Sequence, residues 1–477
     1  MKLKSLIKNL KIKEICGKTD LEISEIKTDS NCVTKGSLFV CINGKEADGH
    51  KFIRQAELYG AVAVVCERKL DSALTQIIVE DSRTAMALLA KEYYCHADKG
   101  MKIVGVIGTN GKTTTSYLIY KILKNAGVEC GLIGTIGTFY GEKFIEPNLT
   151  TPDPLELHRI LREMKDFGVK VIVMEVSAHA IYLNKVAGLN FEVAVFTNFS
   201  QDHLDFFGNM ENYKSAKLDV FKNNKIKYIV TNNDDAVGRY LSETYKNCVT
   251  YGLDNPSDTF AIEIKEKKDY YSFVINLFDC IYDVNLYFKG LYNIYNAMAA
   301  VTTTSLLGVQ VEESVSGLSK VKGVDGRMEC VFSGDFSVYV DYAHTPDGLE
   351  KSLNALSSHS DRLICVFGCG GNRDVDKRYK MGVISGKLAD FTVITSDNPR
   401  FEEPMAIIRG IEEGILTVTK KYVLIQDRVE GIRYAVQMAK PGDVILVAGK
   451  GCEKYQEVLG IKSPYNDKDT IEEILRG

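Results

Sequence analysis

Lys112 and Thr113 close a glycine-rich turn, Gly108-Thr109-Asn110-Gly111-Lys112-Thr113-Thr114, set between the β-branched run KIVGVI and a segment of helical periodicity. Glycines there let backbone N–H groups point inward at a polyanion, and a lysine adds a point charge to the outer phosphates. A threonine hydroxyl in the first helical turn can bind Mg²⁺. The generic pattern GxxxxGK[ST] is not met, because Val106 stands where its first glycine would be. Strand, glycines, Lys-Thr and helix in that order point to nucleotide; a Gly-rich turn with an incidental lysine is the plain alternative. Glu175 ends the apolar run VKVIVME, where a buried carboxylate needs a metal or a lysine partner. His203 sits in DHLD, and Lys217 lies on a helical stretch where an ordinary lysine would be solvated. Asn293 and Asn296 are three apart, so they share a helix face and can address a base or phosphate edge, unless they are surface amides.

The elements that must position these groups form three segments. With 477 residues the chain is too long for one ordinary core. Residues 1–98 hold short mixed strands and helices, among them SLFVCI and AVAVVC. Residues 99–326 alternate strands (102–108, 169–177, 191–200, 225–234) with helices, the pattern of a parallel sheet covered on both faces. Residues 327–477 alternate again, and AHTP, GCGGNRD, DNPR and GKG lie at carboxyl ends of strands, where open α/β sheets bind ligands. The expected fold is α/β in three domains: a small mixed N-terminal domain, a central P-loop parallel-sheet ATPase domain and a C-terminal Rossmann-like domain.

Composition bounds the function. A net charge of -4 does not suit nucleic acid or anionic membrane, so an anionic ligand must be held by local Lys, Arg and N–H groups. Twelve cysteines form no CxxC pair, and Cys365 with Cys369 lacks a second pair for zinc, so most are expected as reduced core thiols. The basic amphipathic start has no signal-peptide core, and no run reaches the ~20 apolar residues of a membrane span. A cytoplasmic, monomeric protein is expected.

The form GTNGKTT resembles the loop shared by Mur ligases and folylpolyglutamate synthetases. TDSNCVTKGSLFVCINGKEADGH, LTTPDP, MEVSAHA, NFSQDHLDFFG, NYKSAKLDVF, KGLYNIYNAMAA, GRME, DYAHTPDGL, GCGGNRD, DNPR and GKGCEKYQ continue the match in Mur ligase order. Folylpolyglutamate synthetases lack the leading uridine-nucleotide domain. The resemblance implies ATP-driven amide formation through an acyl phosphate, chemistry governed by charge positioning. It assigns residues 108–114 with Asn293, Asn296, Arg327, Asp341 and His344 to ATP, and Arg327 to the γ-phosphate. Thr113, Glu175, His203 and Lys217 would ligate Mg²⁺, with Lys217 carrying a CO₂-derived carbamate (N6-carboxylysine), a reaction that needs a neutral amine. Lys112, Lys217, His203 and Arg327 would be the catalytic set.

For substrates, the resemblance places a UDP-N-acetylmuramoyl dipeptide on Thr28, Ser30, Lys45, Glu46, Ala47, Thr150, Thr151, Ser177 and Lys185. DNPR resembles the motif of members that add diaminopimelate, whose distal carboxylate a guanidinium fork can grip bidentately. Asp397, Asn398, Pro399 and Arg400 with Arg373, Gly449 and Glu453 make that expected set. The alternative for Arg400 is a surface ion pair with Glu402 or Glu403. Asn31, Leu183, Lys185, Phe207, Asp325 and Cys452 depart from the family pattern. They leave room for a paralogue that adds lysine or another amino acid; a non-catalytic nucleotide-binding relative is the third reading.

Overall fold

The apolar runs picked out above become strands, and those such as Ala63–Cys66, Val171–Glu175 and Asp443–Ala448 are buried on both faces, so nearly every residue in them is apolar. A computed structural model describes residues 1–44, 47–267, 270–357 and 360–476. By its contacts the chain divides into two units. One comprises Met1–Gly105, Glu129–Glu192 and Ala216–Lys227; the other comprises Val106–Val128, Val193–Ser215 and Tyr228–Gly477.

In the first unit a five-stranded sheet runs in the order Ile12–Cys16, Thr75–Val79, Ala63–Cys66, Leu38–Val40, Ile26–Lys27. All its pairings are parallel except that of the first strand. Alternate residues feed two cores. Leu38, Val40, Val65 and Ile77 pack with Met86, Leu89 and Ala90 of helix Ser82–Tyr93, while Phe39, Cys41, Val64 and Cys66 face the other way. Further along, Val171–Glu175 pairs in parallel with Cys130–Gly134. That strand then turns back through the antiparallel strands Gly137–Tyr140 and Lys143–Ile145. Helix Pro154–Phe167 begins on a proline, whose missing N–H costs nothing there, and stops at Gly168 with φ +100°.

In the second unit Ile229–Asn232 pairs in parallel with Cys248–Tyr251, and strand Cys248–Gly252 with Thr259–Glu266. The antiparallel strands Tyr271–Leu277 and Cys280–Leu286 extend the sheet, so the expectation of parallel strands holds only for part of the middle segment. A six-stranded sheet follows in the order Glu329–Ser333, Ser337–Asp341, Asp443–Ala448, Arg362–Phe367, Phe391–Ile394, Tyr422–Leu424. Only its first strand is antiparallel. Five parallel strands therefore end on one edge, which gathers DYAH, GKG, GCGG and DNPR there.

Among the described residues, no helix is long and apolar enough to cross a membrane. All twelve cysteines are free, but only five are buried, Cys41, Cys66, Cys130, Cys365 and Cys369. The expectation of mostly core thiols is thus corrected: Cys32, Cys95, Cys280 and Cys330 are exposed, and Cys16, Cys248 and Cys452 are half-buried.

Beneath the strand ends of the six-stranded sheet lies a fully buried ion pair. Arg428 donates from Nε and Nη2 to the two carboxylate oxygens of Asp467, at 2.7 and 2.8 Å. Its remaining donors reach the carbonyls of Ser396 and Ala448, each just past or at the end of a parallel strand. Removing one partner would leave a buried charge alone. Arg428→Met should therefore cost about 3–5 kcal/mol, read as a lower urea midpoint against the unmodified chain.

Candidate active site

The glycine-rich turn is held from behind. Gly108 adopts φ +148°, and a Cβ there would stand 1.9 Å from Thr197 Oγ1. Gly111 adopts φ +84° at the cap of helix Lys112–Asn125, where a Cβ would meet Asn296 Oδ1 at 2.5 Å. Both positions exclude side chains on conformation and on space. Thr197 Oγ1 and Asn198 Nδ2 donate to the Asn110 carbonyl at 2.7 and 3.0 Å, and the Asn110 N–H donates to Asn198 Oδ1 at 3.0 Å. With its carbonyl tied behind it, the loop leaves N–H groups to face an anion. Lys112 Nζ donates to the carbonyls of Gly108 and Thr109, at 3.1 and 2.8 Å. Thr114 is buried in the first helical turn.

Helix Tyr292–Leu306 supports this loop through amides that are buried rather than on the surface. Asn296 Oδ1 accepts from Thr115 Oγ1 at 3.1 Å, Asn296 Nδ2 donates to Asn293 Oδ1, and Asn293 Nδ2 donates to the Lys289 carbonyl. Arg327 Nη2 donates to Thr113 Oγ1 at 2.9 Å, while its guanidinium lies 4.3 Å from the centre of the Tyr342 ring. Asp341 is spent inside the protein: its two oxygens accept from Met328 N–H and Ser352 Oγ, and burial raises its pKa.

Around the same loop stands a charged group that the sequence reading did not single out. Asp202 precedes His203, and Oδ2 lies 3.2 Å from His203 Nε2. Burial works against its charge, yet His203, His344 and Lys377 hold its pKa down to about 2. Burial keeps His344 below the ordinary imidazole value, and its Nδ1 bonds the Tyr342 carbonyl at 2.8 Å. Lys377, buried, donates to the His344 carbonyl at 3.1 Å. Thr109 Oγ1 and Tyr213 Oη are 3.3 Å apart, and Phe207, one of the departures, packs its ring 5.2 Å from that of Tyr213. Asp202 lies inside the quoted motif NFSQDHLDFFG and Lys377 three residues past GCGGNRD; both have polar or charged neighbours in sequence, so no local contrast marked them.

At the edge of the six-stranded sheet the DNPR and GKG loops meet. Asn398 Nδ2 donates to Glu453 Oε2 at 2.9 Å, and Lys450 Nζ reaches both Asn398 Oδ1 and Glu453 Oε2 at 2.9 Å. Asp397 is buried beside Lys450 and Arg428, which outweigh burial and lower its pKa. Pro399 is buried, with its carbonyl against Gly371, and Gly449 takes φ +115° beneath Asp397 Oδ2. Arg400 pairs with neither Glu402 nor Glu403; it donates to the Gly371 carbonyl at 2.8 Å and lies 3.3 Å from Glu457. Glu402 instead pairs with Arg378, and Glu403 caps the helix Pro404–Ile415. Arg373 is half exposed, 3.7 Å from Asp205.

In the first unit, Glu175 is buried at its strand end and accepts the Thr135 N–H at 2.7 Å. Thr150 Oγ1 is 3.1 Å from Thr135 Oγ1, Thr151 Oγ1 donates to the Glu175 carbonyl, and Ser177 caps the following helix by accepting the Ala180 N–H. Glu175, Thr150, Thr151 and Ser177 thus come together. Lys185 Nζ pairs with Asp153 at 2.7 Å. Lys217, on helix Met210–Asn223, is 1% exposed, so it is not a solvated charge. Ser30 Oγ donates to Gln55 Oε1, and Gln55 in turn donates to Asn31, which gives that departure a structural place. Thr28 and Ala47 are exposed; Lys45 and Glu46 lie outside the described residues. Among the described residues no cluster of three or more His, Cys, Asp or Glu stands ready for a metal.

Substituting Gly108 by Ala should push the loop off Thr197 and weaken a Mg-nucleotide by about tenfold or more, read by fluorescence titration with a labelled ATP analogue.

Three family models match the chain: the Mur ligase family catalytic domain over residues 22–94, the Mur ligase middle domain over 106–304, and the Mur ligase glutamate ligase domain over 326–451. The UDP-N-acetylmuramoyl-L-alanyl-D-glutamate–2,6-diaminopimelate ligase of Syntrophomonas wolfei is 46% identical, covering 100% of this chain and 99% of that protein. The corresponding ligase 1 of Clostridium acetobutylicum is 42% identical over the same shares. A solved structure of a UDP-N-acetylmuramoyl-L-alanyl-D-glutamate–2,6-diaminopimelate ligase has a TM-score of 0.72 at 30% identity, covering 100% and 99%. The MurF ligase of Thermotoga maritima in complex with ADP shares the fold, with a TM-score of 0.63 at 22% identity over 94% and 96% of the two chains.

Proposed function

The chain belongs to the Mur ligase family, and on that premise we propose that it joins diaminopimelate to UDP-N-acetylmuramoyl-L-alanyl-D-glutamate at the expense of ATP, in peptidoglycan precursor synthesis. The observation that carries this reading is the pairing of a phosphate-binding loop with a DNPR–GKG pocket in the second unit, together with full-length identity to ligases of that name. The three segments 1–98, 99–326 and 327–477 are proposed as domains for the UDP precursor, for ATP and for the amino acid.

The reaction runs in two displacements. A γ-carboxylate oxygen of D-glutamate attacks the γ-phosphorus of ATP, and ADP leaves. The amine of the amino acid then attacks the acyl carbon; phosphate departs from the tetrahedral intermediate and the amide remains. Residues 108–114 cradle the triphosphate, Lys112 turning from its loop carbonyls to the phosphates. Arg327, already at Thr113, lies within reach of the transferring phosphoryl group. Asn293 and Asn296 set the loop, and His344 and Asp341 hold the adjoining turn. Thr113, Glu175, His203 and Lys217 are the proposed magnesium ligands, Lys217 as its carbamate. Mg²⁺, when bound, neutralises developing charge on the phosphates. Thr28, Ser30, Lys45, Glu46, Ala47, Thr150, Thr151, Ser177 and Lys185 serve the precursor.

Arg400, Asn398 and Arg373 offer donors to the distal carboxylate of diaminopimelate, and Glu453 accepts its ammonium, with Asp397, Pro399 and Gly449 shaping the turn. Lysine has no such carboxylate, so the proposed enzyme discriminates by the charge-assisted contact that only diaminopimelate can give these guanidinium groups. Incubating the purified chain with dipeptide precursor, Mg²⁺, ATP and either amino acid should give phosphate release and tripeptide mass with diaminopimelate. Equal or greater turnover with lysine would replace this assignment with a lysine-adding one. The carbamate has its own check. Supplying ¹³C-bicarbonate should give a carbamate carbon resonance in the unmodified chain that disappears in Lys217→Met.

A further inference from the structure

Lys450 is completely buried, an expensive place for an ammonium unless its donors are used. Two of them are: Nζ donates to Asn398 Oδ1 and to Glu453 Oε2, both at 2.9 Å. Tyr455 and Tyr465 wall the charge, their ring centres 5.7 and 5.8 Å from Nζ. An asparagine amide has nearly the same shape in two orientations, and only its hydrogen-bond partners choose between them. Lys450 can only donate, and the Glu457 N–H donates to the same Oδ1 at 2.9 Å. Oδ1 must therefore face Lys450, and Nδ2 must face Glu453. Glu453 is fixed by the same charge, because Lys450 and Asn398 both donate to its Oε2. Its Oε1 has no hydrogen bond among the described residues, so that oxygen is the one left for a partner.

We infer that Lys450 is a positioning and specificity-determining residue for the amino-acid substrate: it locks the Asn398 amide and the Glu453 carboxylate into the single arrangement that meets the distal end of a diamino acid. The inference rests on the proposed assignment of Asn398 and Glu453 to that substrate. Lys450 touches no reacting atom in this scheme. Its charge lies beside two carboxylates, Asp397 and Glu453, and attracts both. Without it, Glu453 would lose the contact that fixes its direction and with it its hold on an ammonium. Asn398 Oδ1 would keep only the Glu457 N–H, so the amide would be held less firmly in the orientation that turns its N–H groups toward a carboxylate.

The test compares Lys450→Met and Lys450→Arg with the unmodified full chain. Steady-state constants are measured separately for ATP, for the dipeptide precursor and for the amino acid the unmodified chain uses, with thermal melts alongside. Truncating one member of a buried hydrogen-bonded charge pair should raise the amino-acid KM by about tenfold or more. The ATP and precursor KM values should stay within about twofold, a split that general loosening of the fold would not produce. Lys450→Met should also narrow the preference between diaminopimelate and lysine, and Lys450→Arg should recover part of both effects. If Lys450→Met fails to fold, the same split is read from Lys450→Arg alone. An unchanged amino-acid KM in the folded variants, or KM values that rise together for all three substrates, overturns the inference while the functional reading stands. An unmodified chain that forms no amide with any amino acid overturns both.

Discussion

The rest of the structure is arranged around a loop that must turn its own carbonyls away from a ligand carrying several negative charges. Residues 108–114 meet this requirement by being tied from behind rather than by being rigid themselves. Thr197 and Asn198 take the Asn110 carbonyl, and Asn296 closes against Gly111. Those three residues come from a strand end and a separate helix, so the second unit must fold around the loop before the loop has its shape. Left-handed glycines permit the geometry; distant amides select it.

Arg327 ties the same loop to the segment that follows it. Its reach to Thr113, with Asn110 donating to Asp347 at 2.6 Å, brings side chains from after residue 326 onto the phosphate turn. Charge is handled alike throughout the second unit. Asp397 and Lys450 are buried and Asp202 is half-buried, and each is held by opposite charge or by hydrogen bonds that point one way. Such placements fix side-chain directions more firmly than apolar packing does, at a cost in solvation.

Much of this was legible in the sequence. Runs such as VKVIVME and DVILVA announced buried parallel strands, because two covered faces leave no position for a polar residue. The ligand-bearing strand ends were visible as glycine and polar motifs that interrupt those runs. The antiparallel strands 271–286 were not foreseen, since they alternate buried and exposed residues in a stretch where β–α alternation was expected to continue. Asn293 and Asn296 could be placed on one helix face, but their burial depends on what packs against that face, which no local pattern records. Arg400 was expected either at a ligand or beside Glu402 and Glu403; its ion-pair partner, Glu457, comes from a ribbon 57 residues away. The weight of Lys450 was hidden for the same reason, because its burial arises from two tyrosines and a loop brought in from position 398.

The ion pair of Arg428 with Asp467 has a consequence for how the molecule comes to exist. Arg428 also grips the carbonyls of Ser396 and Ala448, which belong to the strand ends that carry the DNPR and GKG loops. Until a ribosome has released residue 467 from its exit tunnel, that guanidinium is without its counter-charge. The acceptor loops then rest on an unneutralised cation. The nucleotide turn is synthesised some 350 residues earlier, and domains tend to fold in order of emergence. The residues that tie the nucleotide turn, the last of them Asn296, therefore all emerge while the foundation of the amino-acid pocket is still incomplete.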